Sequence, residues 1–513
     1  MGTRAKRIVA GAVAMGVPVL VVVLAGCGGE ADRTAAQGPQ RDDRPNVVMV
    51  MTDDQTVEQM QALPKTRALI GDAGTTFVNN FSTFPLCCPS RSTYITGQYP
   101  HNHKVRGNKP DELGGYRALY RERRPNGKDT LPVWMRNAGY STAHIGKYLN
   151  GYRAERQPNG KPERPNGWQN WQGSVDPATY NYRNYCLNEN GTLVWYGRRN
   201  RCPQDQPNTP GGQIHQGDNY TQKAVAYIRD APRNRPFFLS VAYLAPHGGG
   251  PNTPRCGGSA KSPPRHAGAF NGIQLPPKET FNEEQVGDKP SSIRSLPRFD
   301  AAAAEEIRRR YQCRRESLLH VDEGVEAIVN GLRARGELDN TVIIFTADNG
   351  FFTGEHRIQG GKIHHYEEAS RVPLLMRGPG VPQRRVFEQV ANVDLASTIL
   401  DAGNARPTRV QDGRSLLRTA ANPKATINRD ILLENGPKLP PGYQYYRAIR
   451  TPRFKFVRYG NGERELYDLL ADPLEERSRH RVKRYNRVER RLARRLRALQ
   501  DCKGASCRKE FRK

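Results

Sequence analysis

The chain has 513 residues with Lys+Arg 80 against Asp+Glu 51, a formal net charge of +29. A mean hydropathy of −0.77 with 36% hydrophobic residues excludes a bundle of membrane helices and indicates a globular, soluble body. The length allows one large domain and a smaller one, each with its own core. The cationic excess suits polyanions such as nucleic acid, cell-wall polymers or sulfated glycans. An arginine bias from a GC-rich genome explains it equally well, so charge alone assigns nothing.

Arg4, Lys6 and Arg7 precede an apolar run over residues 8–25, and Leu24-Ala25-Gly26-Cys27 follows. This resembles a bacterial lipoprotein signal (residues 1–27), in which Cys27 becomes the lipidated N-terminus. An uncleaved anchor or an ordinary signal peptide is the alternative, and Gly11, Gly16 and Pro18 weaken the anchor. Every version exports the chain, either lipid-anchored to the outer face of the bacterial membrane or secreted. Export permits disulfides, and setting aside Cys27, Cys87 and Cys88 leaves six cysteines: Cys186, Cys202, Cys256, Cys313, Cys502 and Cys507. Cys186 with Cys202 and Cys502 with Cys507 are closest in sequence, but spacing does not fix connectivity.

Residues 28–44 are polar and Gly-rich, suited to a flexible tether. Val47-Val48-Met49-Val50-Met51 is a short apolar run, as expected of a strand buried on both faces. Residues 141–145, 237–244, 342–346 and 372–376 repeat this style. Between them residues 301–335 carry a helical stripe of Leu318, Leu319, Val321, Val325, Ile328 and Val329. Alternating strands and helices predict an α/β fold with a large, mainly parallel sheet sandwiched by helices, over residues 45–427. Residues 152–217 and 248–297, rich in Asn, Gly and Pro, read as loop insertions that shape a pocket. Residues 428–513 read as a small α+β subdomain. In it residues 446–459 and 463–469 are strand-like and residues 488–499 form a very basic helix.

In open α/β sheets, functional residues gather at the carboxyl ends of strands. The first apolar strand stops at Thr52-Asp53-Asp54-Gln55, and the strand at 342–346 stops at Ala347-Asp348-Asn349-Gly350. Brought together, three carboxylates and an amide oxygen need a cation, and all-oxygen ligation suits calcium or magnesium. The bland alternative is a pair of helix N-caps, where Asp and Asn are common.

The segment Leu86-Cys87-Cys88-Pro89-Ser90-Arg91-Ser92-Thr93-Tyr94-Ile95-Thr96-Gly97 decides between them. Cys87, Pro89 and Arg91 fit C-x-P-x-R, and the whole segment resembles the signature of the sulfatase family, in the branch of N-acetylglucosamine-6-sulfatases and arylsulfatases. The resemblance implies an alkaline phosphatase-like fold and conversion of Cys87 to formylglycine by a formylglycine-generating enzyme. The aldehyde hydrate then attacks sulfur, and its second hydroxyl expels sulfate. Pro89-Ser90 should begin a helix that puts residue 87 at its positive end, with Arg91 in the first turn. The resemblance further implies calcium held by Asp53, Asp54, residue 87, Asp348 and Asn349. It makes Lys147 (in Gly146-Lys147-Tyr148), His247 (in Ala245-Pro246-His247) and Lys362 catalytic and substrate-binding. His356, in Gly354-Glu355-His356-Arg357, is a further substrate-binding candidate. One departure stands out: many sulfatases carry a histidine two residues after the first lysine, where this chain has Leu149, followed by Asn150.

The implied activity is hydrolysis of sulfate monoesters on carbohydrates or aryl alcohols. A phosphonate or phosphodiester hydrolase of the same superfamily is one alternative, and a non-catalytic polyanion-binding surface lipoprotein is the other. Nucleic acid is not an expected partner, because the chain is exported and shows no recognition motif.

Overall fold

The apolar run at the start of the domain forms β1 (Asn46–Thr52), buried along its whole length. In the computed structural model, which describes residues 42–120, 127–425 and 427–510, β1 lies in the middle of an eleven-stranded mixed sheet. The strands in chain order are β1, β2 (Thr75–Phe81), β3 (Ser141–Gly146), β4 (Asn170–Ser174), β5 (Tyr185–Glu189) and β6 (Thr192–Tyr196). They continue with β7 (Asn208–Pro210), β8 (Phe237–Ala242), β9 (Thr341–Ala347), β10 (Leu374–Arg377) and β11 (Arg384–Ala391). Their spatial order is β11-β2-β10-β9-β1-β8-β3-β4-β5-β6-β7. Parallel pairing of β9, β1, β8 and β3 makes these four strands end on one edge.

Alternation along β1 divides two cores. Val47, Met49 and Met51 pack with Ile95 of α1 (Cys87–Thr96) and with Trp134 and Ile399. Val48 and Val50 pack with Ile228 of α2 (Gln216–Asp230) and with Leu318, Val321 and Val325 of α3 (Ala301–Ala334). Each such side chain contributes roughly 1.5–3 kcal/mol by leaving water.

The fold class is as expected, with three differences of detail. The 152–217 insertion supplies β4 to β7, which extend the sheet; these strands are only three to five residues long and hidden among Asn and Gly. The segment at 372–376 forms β10, which runs antiparallel to β9. Residues 446–459 are not one strand but a hairpin, because Pro452 cannot continue a ladder. That hairpin is β13 (Tyr446–Arg450) and β14 (Phe454–Tyr459), between β12 (Ile431–Glu434) and β15 (Arg464–Asp468) in a four-stranded antiparallel sheet. The basic helix α4 (Asn486–Leu499) covers this sheet with Leu492, Leu496 and Leu499. The cysteines pair as Cys186–Cys202, Cys256–Cys313 and Cys502–Cys507. No helix among the described residues is long and apolar enough to cross a membrane. Cys27 and its signal lie outside the described residues.

A buried ion pair joins the small sheet to the region that follows α1. His101 donates Nδ1–H to Glu434 at 2.8 Å and Nε2–H to the Cys502 carbonyl at 2.7 Å, and Arg106 adds a bond to Glu434 at 3.1 Å. Both ring nitrogens face acceptors, so the ring is an imidazolium. Burial opposes the Glu434 charge, but His101 and Arg106 outweigh it and bring its pKa down to about 2. A depressed carboxyl contributes stability that is present above its ordinary value near 4.5 and is lost as pH falls through 2. We expect Glu434→Gln to cost on the order of 3 kcal/mol at pH 5–6, with the wild-type and variant curves converging below pH 4. Urea titrations across that range check this, and parallel curves would remove the pair from the account.

Candidate active site

Four neighbouring strands deliver their ends to one place. β1 ends in Asp53-Asp54 and β9 in Asp348-Asn349, with Thr52 registered against Ala347. β8 runs on to His247, and β3 runs on to Lys147, whose amide donates to the Ala242 carbonyl at 2.9 Å. The Asp53 amide donates to the Ala245 carbonyl at 3.2 Å, which draws the β1 and β8 ends together.

Helix α1 begins at Cys87, preceded by Leu86 in extended conformation, and all ten of its residues are buried. Its far end is closed by Gly97 at φ 66, where a Cβ would overlap the Gln411 side chain. Cys87 Sγ lies 2.9 Å from Lys362 Nζ and 3.4 Å from Asp53 Oδ1. Arg91, one turn along, reaches Asp348 Oδ2 at 2.7 Å, Asp53 Oδ2 at 3.1 Å and the Lys147 carbonyl at 2.8 Å. Lys147 pairs with Asp53, and Lys362 pairs with Asp54. The structure thus brings together Cys87, Arg91, Lys147, His247, Lys362, Asp53, Asp54, Asp348 and Asn349.

The electrostatics follow from burial. It opposes the charge on Asp53, yet Lys147, His247, Arg91 and Lys362 hold that carboxyl well below the usual range. Asp348 moves the other way, raised by burial and by the Asp53 charge. Burial and Asp53 also push the Cys87 thiol up, far from the thiolate. Burial lowers His247 to about 4. Its Nδ1–H donates to the Gly248 carbonyl at 2.5 Å, so Nε2 is bare, 3.7 Å from Asp54 Oδ2. Asp53, Asp54, Cys87 and His247 offer ligand atoms all within 4.8 Å of one another. Asn349 donates Nδ2–H to Asp54 at 2.6 Å, while its Oδ1 is buried without a hydrogen-bond partner.

His356 does not join this cluster. It is fully buried, 2.7 Å from Glu283, and its ring stacks on Tyr366 at 4.1 Å. Its glycine-like φ of 52 turns the chain so that the side chain enters the core. Two groups that the motifs did not reveal are present. Tyr180 lies 4.9 Å from Lys147 Nζ and 5.1 Å from the His247 ring, and accepts a bond from Asn150 at 2.6 Å. Leu149 itself is buried in the core, and the residue after it, Asn150, is the one that bonds Tyr180. Arg314, buried on α3, donates to the main-chain carbonyls of Asp54 and of Pro246 (3.0 Å to the latter) and lies over Phe351 at 4.1 Å. It was legible in principle: four residues before Leu318, it extends the buried stripe of α3.

The sulfatase family model matches residues 45–405, and the chain belongs to that family. A model of the N-sulphoglucosamine sulphohydrolase C-terminal region matches residues 354–502. Among relatives, N-acetylglucosamine-6-sulfatase of Homo sapiens is 32% identical, over 96% of this chain and 90% of its own length. A putative extracellular sulfatase Sulf-1 homolog of Caenorhabditis elegans is 33% identical over 83% of this chain. The chain spans 56% of that relative's length and 31% of the corresponding Drosophila melanogaster protein. A structure solved with its substrate D-glucosamine-2-N,6-O-disulfate superposes with a TM-score of 0.73 at 22% identity, covering 89% of this chain and 97% of the other. The phosphonate monoester hydrolase of Agrobacterium radiobacter superposes at 0.67 with 20% identity, covering 90% and 96%.

Arg314 touches two strand-end loops and no reacting atom, so its effect should be positional. We expect Arg314→Ala to lower kcat by about 100-fold with KM nearly constant, and added guanidinium to restore part of the loss. Full activity in that variant, or a loss that guanidinium leaves unchanged while stability falls, would make Arg314 purely structural.

Proposed function

We propose that this chain is a sulfuric ester hydrolase acting on sulfate monoesters of carbohydrates or aryl alcohols, armed by formylglycine at position 87 and a calcium ion. The observation that carries this reading is the convergence of two buried cations, Arg91 and Lys147, on Asp53 and of the partly buried Lys362 on Cys87, at the start of a buried helix. That arrangement suits an oxyanion bound at a helix N-terminus.

Calcium, or magnesium in its place, would be held by Asp53, Asp54, Asp348, Asn349 and residue 87. The fit rests on the Asp53 and Asp54 carboxylates, which lie with residue 87 among ligand atoms within 4.8 Å of one another, and on the buried, partnerless Asn349 Oδ1. A cysteine at 87 fits the chemistry poorly, because burial keeps the thiol protonated. When in place, the two groups supply a hydroxyl nucleophile that survives turnover and a fixed divalent charge.

The chain's own residues do the rest. Arg91 stays charged at any working pH and is locked between Asp53 and Asp348, so it adds positive charge without reorganising. Burial works against the charges of Lys147 and Lys362, but neighbouring carboxylates outweigh it and keep both protonated. Their N–H groups would bind sulfate oxygens and stabilise charge growing on the ester oxygen. His247 is neutral, with a bare Nε2, which we assign to proton transfer. The relatives named N-acetylglucosamine-6-sulfatases favour a glycan sulfate as substrate. Export, lipid on Cys27 and maturation by a formylglycine-generating enzyme belong to the same proposal.

Peptide mass spectrometry of protein from its native host tests the nucleophile: conversion of the Cys87 thiol to an aldehyde lowers the peptide mass by about 18 Da. Cys87→Ala should then turn over no 4-nitrocatechol sulfate, and a chelator should stop the wild type until calcium is returned. Activity in Cys87→Ala would sink the mechanism. A matched phosphonate ester turned over faster than the sulfate would replace the sulfatase reading with a phosphonate hydrolase.

A further inference from the structure

Helix α4 carries a cationic face that the catalytic site does not use. Between Arg477 and Arg497 the chain holds eleven Lys or Arg residues and one acid, Glu489. Glu489 is buried and taken by Arg464 at 2.6 Å. Arg487, Arg490, Arg491, Arg494 and Arg497 are all exposed and make no ion pair among the described residues. Offsets of 3, 7 and 10 from Arg487 put Arg490, Arg494 and Arg497 on one stripe, with like members about 10 Å apart along the axis. Arg491 lies beside them.

Among these five only Arg491 acts on a buried acid, Asp430, which Arg495 already pairs. Arginines three and four apart repel one another, and those in the first turn oppose the helix dipole, so the face weakens its own helix. The apolar side is already satisfied by Leu492, Leu496 and Leu499. A planar guanidinium recognises sulfate and carboxylate through paired N–H bonds, and a stripe of them matches an extended chain bearing such groups at intervals. A lipid surface fits less well, because the large hydrophobics exposed in the described residues, Phe387, Val410 and Leu470, all lie off this helix. The face also lies apart from the active-site loop. Tyr446 of β13 bonds the Ile363 carbonyl at 2.9 Å, whereas its neighbour Arg447 points the other way, to Asp501 just beyond α4.

We propose that the α4 arginine stripe is a second binding site for a sulfated polysaccharide, retaining the enzyme on a polymer whose ester groups the active site consumes. This rests on the sulfatase reading above and adds to it a polymeric substrate held outside the active site. The test compares the wild type with a variant carrying R487Q, R490Q, R491Q, R494Q and R497Q. A charge-matched control carries R198Q, R199Q, R233Q, R235Q and R298Q, all exposed elsewhere.

Binding to immobilised heparin is measured against salt. We expect the α4 variant to bind about 100-fold more weakly at 0.15 M salt, with a salt slope smaller by about 3–4, and the control to stay within a few-fold of wild type. Equal losses in both variants would reduce the effect to net charge and overturn the proposal. So would duplex DNA or phosphatidylglycerol vesicles that bind as tightly as heparin and show the same loss in the α4 variant. All three proteins should turn over 4-nitrocatechol sulfate alike. If none does while the heparin difference stands, the catalytic reading fails and the binding site remains.

Discussion

Arg91, buried between Asp53 and Asp348, is the contact on which the site depends. Removing two carboxylates and a guanidinium from water costs several kcal/mol per ion, and only tight multiple hydrogen bonding offsets it. Arg91 meets that demand with bonds to both carboxylates and to the Lys147 carbonyl. In doing so it ties α1 to the ends of β1, β9 and β3. The central strands must therefore end in register, and the arrangement of β9, β1, β8 and β3 as adjacent parallel strands satisfies that requirement. The apolar cores on both faces hold the strands; the ion cluster decides where they may stop.

The second sheet serves the same site through the loop that carries Lys362. Tyr446 fastens that loop at the Ile363 carbonyl, and the next residues run into a buried polar network. His365 and Tyr366 both bond Glu465 of β15, while Lys455 of β14 bonds the His365 carbonyl and pairs with Glu367 and Glu475. His356 and Glu283 sit at its margin, where burial raises the Glu283 carboxyl to about 8. Such a network is high-stakes, since a half-satisfied member is worse than an apolar one. It fixes one loop conformation, including the positive φ of His356, Arg357 and Ile363. Lys362 thereby reaches Asp54 and Cys87 with little freedom to move.

What could be read in the sequence depended on whether the signal was local. Cys87, Pro89 and Arg91 share one helical turn, and Asp53-Asp54 and Asp348-Asn349 mark where apolar runs stop, so their positions were legible before any fold was known. His356 lay beside a recognisable loop and was expected to face substrate. A left-handed backbone turned it into the core, which no local pattern reports. Arg314 could be found only from the register of a long helix, and Tyr180 only once the 152–217 insertion had folded. The strands of that insertion are too short for period-two alternation to rise above its Asn and Gly content.

The position of Leu149 carries a last consequence. A leucine there packs into the hydrophobic core and cannot donate a proton, so any proton transfer at the site falls to other groups. Burial keeps the Tyr180 phenol un-ionised, and its oxygen accepts from Asn150, leaving its own proton free to point elsewhere. Its ring lies against both Lys147 and His247. The ring comes to this place from the 152–217 insertion rather than from the strand ends. Arg91 on α1 and Lys147 at the end of β3 are thus set by the large sheet and its helix, Lys362 by the loop that the small sheet fastens, and Tyr180 by the 152–217 insertion.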